Sequence, residues 1–356
     1  GSSMPSYPVQ PRTETTDTLD KEHRLAMKIL LTGATGFLGS AILDDLVDRG
    51  DDVTVLLRNE SRREALTRPD APFAIGDLSE PDSFDIPLSD FDVVIHSAGL
   101  VSDWMDRATL MKVNRDGTLA LAKVALRDGV KHFVHMSSAG VYGSRSYRQH
   151  KEDDGMQRGL CPYDESKYEA EVALWAFREQ HGEFPLTVLR PGFVYGPQDR
   201  KFLPRTIQRI RDGQAKFVGG GDNALTTVYV ENVTDMVRRV LANRDKTIGE
   251  AYNVVDGQGT TTRDLFDAIA DFYGYPRVTK SVPYPVAFLL ESVLDAIYTV
   301  LRKKNPPMIT RKIVTFMSCH RDLSIEKAKR ELGYEPKAFD ESIVKTLEAL
   351  KAKGVQ

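Results

Sequence analysis

The sequence predicts an α/β protein with a doubly wound parallel sheet and a smaller C-terminal lobe. Short, almost entirely apolar runs alternate with helical patterns from residue 28 to residue 189, and such runs are typical of parallel strands that helices cover on both faces. A glycine-rich turn joins the first run to the first helical pattern. Beyond Pro191 the loops become longer and richer in glycine, as in Gly219-Gly220-Gly221-Asp222, which indicates a second lobe.

The individual elements follow from the spacing of apolar residues. Strands are predicted at 28–31, 53–57, 73–75, 93–96, 132–136 and 186–189. Helices are predicted at 37–48, 110–128, 163–179, 263–272, 285–301 and 341–353. Two later apolar runs, 227–230 and 251–255, are expected to be strands that return to the main sheet.

The composition is consistent with this organisation. The chain has 356 residues, a formal net charge of −3 and 41% hydrophobic residues, which is enough for a large domain and a smaller lobe. The nearly balanced charge gives no reason to expect a nucleic-acid partner. Cys161 and Cys319 cannot form a disulfide framework, and neither has the spacing of a metal ligand. We therefore expect no metal site and a reducing, cytoplasmic setting.

The first 26 residues differ from the rest of the chain. They begin with Gly1-Ser2-Ser3, which resembles the remnant of an expression tag, and they continue as a polar stretch with three prolines. This stretch lacks the apolar core of a signal peptide. We expect residues 1–26 to form a disordered arm and the fold to begin at Met27.

The turn Thr32-Gly33-Ala34-Thr35-Gly36-Phe37-Leu38-Gly39 lies between the first predicted strand and the first predicted helix. Glycines permit a tight turn and a close approach of the backbone to a pyrophosphate, and the helix N-terminus offers amide hydrogens to phosphate oxygens. Residues 27–191 are therefore predicted to be a Rossmann-type dinucleotide-binding domain, and residues 192–356 a substrate-binding lobe. The candidate cofactor contacts in the turn are Gly33, Thr35, Gly36, Phe37, Leu38 and Gly39.

The residues after the second strand predict which dinucleotide is bound. A site that prefers NAD places an acidic residue there to hold the ribose 2′-hydroxyl, whereas this chain has Arg58-Asn59, followed by Arg62 and Arg63. An arginine attracts a 2′-phosphate and stacks on adenine, so we expect NADP(H) to be preferred over NAD(H). Asp77-Leu78 and Ala98-Gly99 follow the next two strands and are expected at the same edge of the sheet.

Tyr163 and Lys167 are four residues apart in a predicted helix and so share one face of it. An ammonium beside a phenol lowers the pKa of the phenol, and such a tyrosine exchanges a proton with a substrate oxygen while hydride moves to or from a nicotinamide. The strand 132–136 runs into Ser137-Ser138-Ala139-Gly140-Val141-Tyr142-Gly143. A serine at this strand end can hydrogen-bond the same oxygen.

Together these motifs resemble the extended short-chain dehydrogenase/reductase superfamily over residues 27 to 350. The matching segments are Thr32–Gly39, Asp77-Leu78, Asn114, Ser137–Gly143, Tyr163–Lys167 and Arg190-Pro191-Gly192. The resemblance implies that Tyr163 is the proton donor or acceptor and that Lys167 binds the nicotinamide ribose. It also implies that Ser138, rather than Ser137, is the catalytic serine and that Asn114 maintains the geometry of the site. Pro191 and Val194 match residues beside the nicotinamide ring.

Later segments are similar to the 3β-hydroxysteroid dehydrogenase-like branch of that superfamily. These are Val228-Tyr229-Val230-Glu231-Asn232-Val233, Ala251–Gly257 and Ala328–Pro336. The branch includes sterol dehydrogenases, hopanoid- and dihydroflavonol-type reductases, and reductases of long-chain β-keto acids. The resemblance therefore implies an apolar alcohol or ketone as substrate, which is steroid-like, an isoprenoid or a long-chain β-keto acid. The candidate pocket residues are Val101, Trp104, Met105, Ser138, Tyr142, Phe193, Tyr195 and Phe202, and Tyr229 is a further aromatic candidate around the site. The alternative for each aromatic residue is a place in the core.

Two other functions remain open. Sugar-nucleotide epimerases and dehydratases share the first half of the chain, and they commonly carry an arginine for the diphosphate where this sequence has Leu225. Arg200, Lys201, Arg205 and Arg209 could replace it. A non-catalytic NADP(H) sensor is the third hypothesis, although such proteins tend to lose the tyrosine or the lysine.

Two helical regions suggest contacts with other molecules. The apolar helix 285–301 is interpreted as core or lid, with weak peripheral membrane contact through 285–304 as the alternative, because Arg302-Lys303-Lys304 follows it. The helices at 110–128 and 163–179 resemble the pair that forms a four-helix bundle across a two-fold axis in related proteins. We therefore expect a homodimer.

Overall fold

A computed structural model describes residues 27–82, 84–102, 104–182, 184–301 and 310–356. The arm expected at residues 1–26, and Arg302-Lys303-Lys304, lie outside the described residues. The main sheet has seven parallel strands in the order β11-β7-β5-β4-β1-β2-β3. Their bounds are β1 Lys28–Thr32, β2 Asp52–Leu57, β3 Phe73–Ile75, β4 Val93–His96, β5 His132–Met136, β7 Leu186–Pro191 and β11 Ala251–Val254. The predicted parallel α/β sheet is thus confirmed.

The strands consist mostly of apolar residues because helices cover both faces of the sheet. Leu31 and Val134 belong to the core on one face, and Leu30 and Phe133 to the core on the other. Helix α1 (Phe37–Asp48) lies on the first face, whereas α3 (Thr118–Arg127) and α4 (Pro162–Gln180) lie on the second. All strands are parallel, so their carboxyl ends lie along one edge.

The predicted helix 110–128 is interrupted in the structure. Helix α2 (Arg107–Met111) leads into a π-helical turn, Lys112–Gly117, before α3 begins. A Cβ at Gly117 would lie 2.3 Å from the carbonyl oxygen of Leu78, so only glycine permits this approach. The turn is the segment that carries Asn114, and such π-helical insertions are frequent at functional sites.

One of the two returning strands does not join the main sheet. Strand β11 pairs with β7 at its edge, as expected. By contrast, β10 (Thr227–Tyr229) pairs in parallel with β8 (Phe193–Tyr195) in a separate two-stranded sheet. The expectation for residues 227–230 was therefore wrong: the chain turns at Gly192, whose Cβ would lie 2.1 Å from the Thr226 carbonyl oxygen.

The boundary at residue 191 does not separate two independent cores. Val233, Met236 and Leu332 pack into the same core as α1. A third core holds the lobe itself and includes Leu203 and Phe266.

The remaining elements are α5 Phe202–Arg211, α6 Val230–Ala242, α7 Arg244–Thr247, α8 Thr262–Tyr273, α9 Tyr284–Val300, α10 Arg311–Ser318, α11 Glu326–Leu332, α12 Phe339–Ala352 and the short strands β6 Tyr147–His150, β9 Phe217–Val218, β12 Ser281–Val282 and β13 Arg321–Leu323.

Candidate active site

The glycine turn has the geometry that a pyrophosphate requires. Gly33 has a φ of 79°, and a Cβ there would lie 2.6 Å from the Ala98 backbone nitrogen. A Cβ at Gly39 would lie 2.1 Å from the Gly33 carbonyl oxygen. Gly36 precedes α1, whose N-terminus has no side-chain cap and no acidic residue in its first turn. The residues present therefore fit an anionic dinucleotide, because the helix dipole and amides there favour negative charge.

Arg58 follows β2 directly and is exposed at the same edge. Burial alone would raise the pKa of the Asp77 carboxyl, but hydrogen bonds from Ser79 and the positive charge of Arg58 outweigh this effect and lower it. Asp77 accepts from the Ser79 amide at 2.9 Å and from its hydroxyl at 2.7 Å. The charge of Arg58 thus acts on the Asp77 carboxyl. Asn59 and Arg62 are also exposed after β2.

A buried chain of hydrogen bonds joins the cofactor edge to the catalytic side. The Ala98 amide donates to Thr32 Oγ1 at 3.0 Å, and Thr32 Oγ1 lies 2.8 Å from His96 Nδ1. His96 Nε2 lies 2.8 Å from Thr118 Oγ1, which donates to the Asn114 carbonyl oxygen. Burial lowers the pKa of His96 to about 3. The ring is therefore neutral, and Thr118, whose proton is committed to Asn114, accepts from Nε2–H.

Asn114 connects the loop after β4 to the helix that carries Tyr163. Its side chain accepts from the Leu100 amide at 2.8 Å and donates to the Leu100 carbonyl at 3.0 Å. It also donates to Ser166 Oγ at 2.8 Å, and Ser166 donates to the Tyr163 carbonyl oxygen at 2.7 Å. Gly99 is adjacent, since a Cβ there would lie 3.3 Å from Asn114 Oδ1. Asn114 therefore positions both sides of the site.

Lys167 is buried and donates from Nζ to the Met136 carbonyl oxygen at 2.7 Å. Burial lowers the pKa of Lys167 to about 8, although the Glu171 carboxylate opposes the shift. Ser138 follows Met136 by two residues, is half-buried, and accepts from the Gly140 amide at 3.0 Å. Its hydroxyl proton therefore remains available for a substrate oxygen. Tyr163 is half-buried one helical turn before Lys167.

Ser137 has a different partner from Ser138. It donates to Glu171 Oε2 at 2.5 Å, and Glu171 pairs with Arg190 at 2.6 Å. Both members of this pair are buried, and Arg190 Nη1 also donates to Tyr142 Oη at 2.7 Å. Ser137 is thus part of a buried network, whereas Ser138 is half-buried.

The structure corrects two of the expected pocket residues. Tyr142 is fully buried, and its hydroxyl also donates to Asn253 Oδ1 at 2.6 Å. Tyr195 packs in the core of the lobe against Tyr229 and Phe339. Tyr142 therefore belongs to the core on one face of the sheet, and Tyr195, like its neighbour Tyr229, belongs to the core of the lobe.

The other expected pocket residues lie at the surface of the site. Val101 is exposed, and Met105 is half-buried. Trp104 contacts Tyr298 of α9 edge-on, with ring centroids 6.1 Å apart. Phe193 contacts Phe202, with centroids 4.3 Å apart. Among the expected cofactor contacts, Val194 and Leu38 are half-buried, whereas Pro191, at the end of β7, and Leu78 are buried.

Two residues that the sequence did not single out contact these groups. Lys312 Nζ lies 4.1 Å from the centre of the Tyr163 ring. Phe316 lies one turn later on α10, and its ring centroid is 5.2 Å from that of Phe193. The spacing of four residues places Lys312 and Phe316 on one helix face. No local motif relates this helix to Tyr163, so only the fold brings them together.

Leu225 is buried, and its amide donates to the Thr260 carbonyl at 2.7 Å. The cations that could replace an arginine at position 225 are Arg200, Lys201, Arg205 and Arg209. The first three are exposed, whereas Arg209 is half-buried on α5.

Cys161 and Cys319 are free thiols. Within the described ranges, no helix has both the length and the apolar character needed to cross a bilayer.

A family model described as "NAD dependent epimerase/dehydratase family" matches residues 29–255. The 2-alkyl-3-oxoalkanoate reductase of Stenotrophomonas maltophilia is 28% identical over 92% of this chain and 100% of its own length. The mouse sterol-4-alpha-carboxylate 3-dehydrogenase, decarboxylating, is 25% identical over 91% of each chain.

Solved structures give the same fold. The protein gox2253 is 26% identical, covers 93% of this chain and 100% of its own, and has a TM-score of 0.75. The UDP-glucose 4-epimerase of Thermotoga maritima, solved with UDP-glucose, is 25% identical over 92% of this chain and 99% of its own, with a TM-score of 0.69. An epimerase of known structure thus shares this architecture.

Proposed function

The chain belongs to the NAD dependent epimerase/dehydratase family and is an NAD(P)-dependent oxidoreductase of the extended short-chain dehydrogenase/reductase type; we propose that it interconverts a ketone and a secondary alcohol on an apolar substrate that carries a carboxylate. The observation that carries this proposal is the juxtaposition of Tyr163, Lys167 and Ser138 at the edge where the glycine turn lies. Binding of a dinucleotide alone would not require these three side chains.

Each side chain has a defined task in the proposed reaction. The nicotinamide, when bound, supplies or accepts the hydride. Ser138 donates a hydrogen bond to the ketone oxygen, and the Tyr163 hydroxyl transfers its proton to that oxygen during reduction. Lys167, as an ammonium, favours the phenolate that remains. In oxidation the same groups act in the opposite direction, and the phenolate accepts the alcohol proton.

The proposed cofactor preference is NADP(H) over NAD(H). The support is Arg58 at the end of β2, where an acidic residue would favour NAD. Arg58 is exposed and acts electrostatically on Asp77. An exposed guanidinium at this edge is suited to a 2′-phosphate, to which it can donate two hydrogen bonds.

The proposed substrate class has a reacting carbon β to a carboxylate. The names of two relatives, a 2-alkyl-3-oxoalkanoate reductase and a sterol-4-alpha-carboxylate 3-dehydrogenase, describe this arrangement in their own substrates. Phe193, Phe202 and Phe316 form an aromatic cluster, and such a surface is suited to a long alkyl or polycyclic body.

A second candidate function is sugar-nucleotide epimerisation, which the similarity to the UDP-glucose 4-epimerase favours. Leu225 argues against it, because its side chain is buried and apolar at the position where a cation would hold the diphosphate. A non-catalytic sensor has less support, since Tyr163 and Lys167 are both present.

A substrate screen tests the proposal. The purified protein is incubated with NADPH and 3-oxo acids, sterol ketones or UDP- and GDP-sugars, and absorbance and product mass are followed. We expect NADPH oxidation with at least one apolar ketone. Turnover of a sugar nucleotide without net NADPH consumption would instead identify an epimerase.

We further propose a cytoplasmic homodimer formed through α3 and α4. These helices lie side by side on one face of the sheet, and Val172 is exposed on α4. Sedimentation equilibrium of the protein and of Val172→Glu tests this interface. A monomeric parent protein would refute the proposal.

A weak membrane contact through α9 is proposed as well. Val286, Leu289, Val293, Ile297 and Val300 are all exposed, and their spacing of three to four residues places them on one face. The opposite face carries the buried Ala287 and the Tyr298 contact to Trp104, a candidate pocket residue. Cosedimentation with vesicles of anionic or neutral lipids tests this contact.

A further inference from the structure

We infer that Lys312 is the residue that selects for a carboxylate on the substrate, an assignment that rests on the proposed ketone and alcohol chemistry. Lys312 Nζ lies 4.1 Å from the centre of the Tyr163 ring. In a 3-oxo or 3-hydroxy acid, only two carbon–carbon bonds separate the reacting carbon from the carboxylate carbon. A substrate oxygen held at Tyr163 therefore brings a β-carboxylate into the immediate neighbourhood of this ammonium.

The ammonium is held at this position by a second residue. Lys312 Nζ is 3.9 Å from Asp164 Oδ1, a distance longer than a direct hydrogen bond. Asp164 packs closely against two glycines. A Cβ added at Gly140 would lie 2.5 Å from Asp164 Oδ1, and a Cβ added at Gly159 would lie 2.5 Å from Asp164 Cβ. Asp164 is almost fully buried, whereas the Lys312 side chain is 28% exposed. Lys312 is thus positioned by the protein and remains reachable from solvent.

The same helix face also offers an apolar contact. Phe316 follows Lys312 by one turn and packs against Phe193 at 5.2 Å and Phe202 at 6.1 Å. Helix α10 therefore presents a cation beside Tyr163 and an aromatic ring farther along. This order matches the order of groups in an acid with a long alkyl or polycyclic body: first the carboxylate, then the apolar part.

The position of the cation also discriminates against uncharged analogues. Hydrogen bonds to charged groups contribute about 1.5–3 kcal/mol, which corresponds to about a tenfold to hundredfold difference in affinity. A methyl ester of the same acid retains the reacting carbon and the apolar body but loses the negative charge. We therefore expect the protein to prefer an acid over its methyl ester by about tenfold or more in kcat/KM.

The test compares a long-chain 2-alkyl-3-hydroxy acid with its methyl ester, each oxidised with NADP⁺ at saturating cofactor. The hydroxy compounds are used because 3-oxo acids lose CO₂ spontaneously. In Lys312→Met we expect the acid-to-ester ratio of kcat/KM to fall by about tenfold or more, mainly through the KM of the acid. Lys312→Arg should recover most of the ratio, because it restores the charge. Lys329→Met, which removes an exposed lysine of α11, is the matched control and should keep the ratio.

Each of the following kinetic results would overturn the assignment. The first is a parent protein with the same kcat/KM for the acid and the ester, and the second is a Lys312→Met variant with the parent's acid-to-ester ratio of kcat/KM. The third is a Lys312→Met variant in which kcat/KM falls equally for both substrates and the pH profile of activity shifts. The last result would mean that Lys312 acts on the ionisation of Tyr163 instead. Equilibrium binding of acid and ester to the NADP⁺ complex, followed by calorimetry, separates the two proposals. Absence of turnover with both compounds would contradict the proposed function, and equal dissociation constants would contradict the role of Lys312.

Discussion

Lys167 donates from its ammonium to the carbonyl oxygen of Met136 over 2.7 Å. This bond ties the middle of helix α4 to the end of strand β5, two residues before Ser138. It thus sets the helix that carries Tyr163 against the strand end that carries the serine. The two catalytic candidates come from segments far apart in the sequence, and one buried lysine fixes their relative position.

Replacement of Tyr163 by phenylalanine should reduce kcat by about a hundredfold to ten-thousandfold, since general acid–base catalysis contributes that much. NADPH binding, measured by fluorescence titration, should be retained because the ring remains. Tyr168→Phe, which changes a half-buried tyrosine of the same helix, is the matched control and should stay active. Near-normal turnover in Tyr163→Phe would contradict the proton-transfer role of the hydroxyl.

Lys167→Met should abolish activity but increase the stability of the cofactor-free protein at pH 7. Burial lowers the pKa of Lys167 to about 8 from 10.5, so folding carries a penalty of a few kcal/mol below pH 8. The unfolded chain binds more protons between pH 8 and pH 10.5, and the penalty is relieved as the pH rises through that window. The free energy of unfolding in urea, compared between the parent and Lys167→Met at pH 7 and pH 10, measures this penalty. A gain in stability that does not shrink at pH 10 would refute this account; Lys123→Met on the exposed side of α3 should show no such pH dependence.

Arg58→Ala should weaken NADPH binding by about tenfold to hundredfold, because a charged hydrogen bond contributes about 1.5–3 kcal/mol. NADH binding should change much less, since NADH lacks the 2′-phosphate. Dissociation constants of both cofactors are compared for the parent and the variant. Arg68→Ala is the control, because Arg68 is already paired with Asp44 and Asp48. If both cofactors weaken equally in Arg58→Ala, the arginine does not select the 2′-phosphate.

His135→Leu should make the protein less sensitive to acid. His135 is fully buried, and both ring nitrogens lack a hydrogen-bond partner among the described residues. Burial holds its pKa well below 6.5, so the unfolded chain binds a proton as the pH falls below 6.5 while the folded chain does not. Stability that is present above pH 6.5 is therefore lost on acidification.

Melting temperatures at pH 7.5 and pH 5 measure this effect. The decrease between the two pH values should be smaller in His135→Leu than in the parent protein. His181→Gln changes an exposed histidine and is expected to leave the decrease as it was. An unchanged decrease in His135→Leu would mean that other groups dominate acid unfolding; His96 and His132 are also buried and have lowered pKa values.

Much of the fold and of the cofactor edge was predictable because the signals are local. Near-continuous apolar runs identified the strands at 28–31 and 132–136, and the glycine spacing at 33, 36 and 39 identified the turn. The tyrosine and lysine at 163 and 167 share a helix face by spacing alone. The strand at 227–229 was assigned to the wrong sheet, because an apolar run does not specify its pairing partner.

What the sequence by itself determined is therefore the class of fold; from it we also predicted the glycine turn as the dinucleotide site and chose the candidate catalytic side chains. Only the tertiary structure decided that Tyr142 and Tyr195 belong to the core and that Lys312 lies beside Tyr163. The physical reason is the distance along the sequence over which the interactions act. The geometry of turns and helices depends on neighbours within a few residues, whereas burial and contacts between charged groups depend on packing between distant segments. Lys312 and Tyr163 are brought together by the packing of α10 over the site, and nothing in the residues around either one specifies that contact.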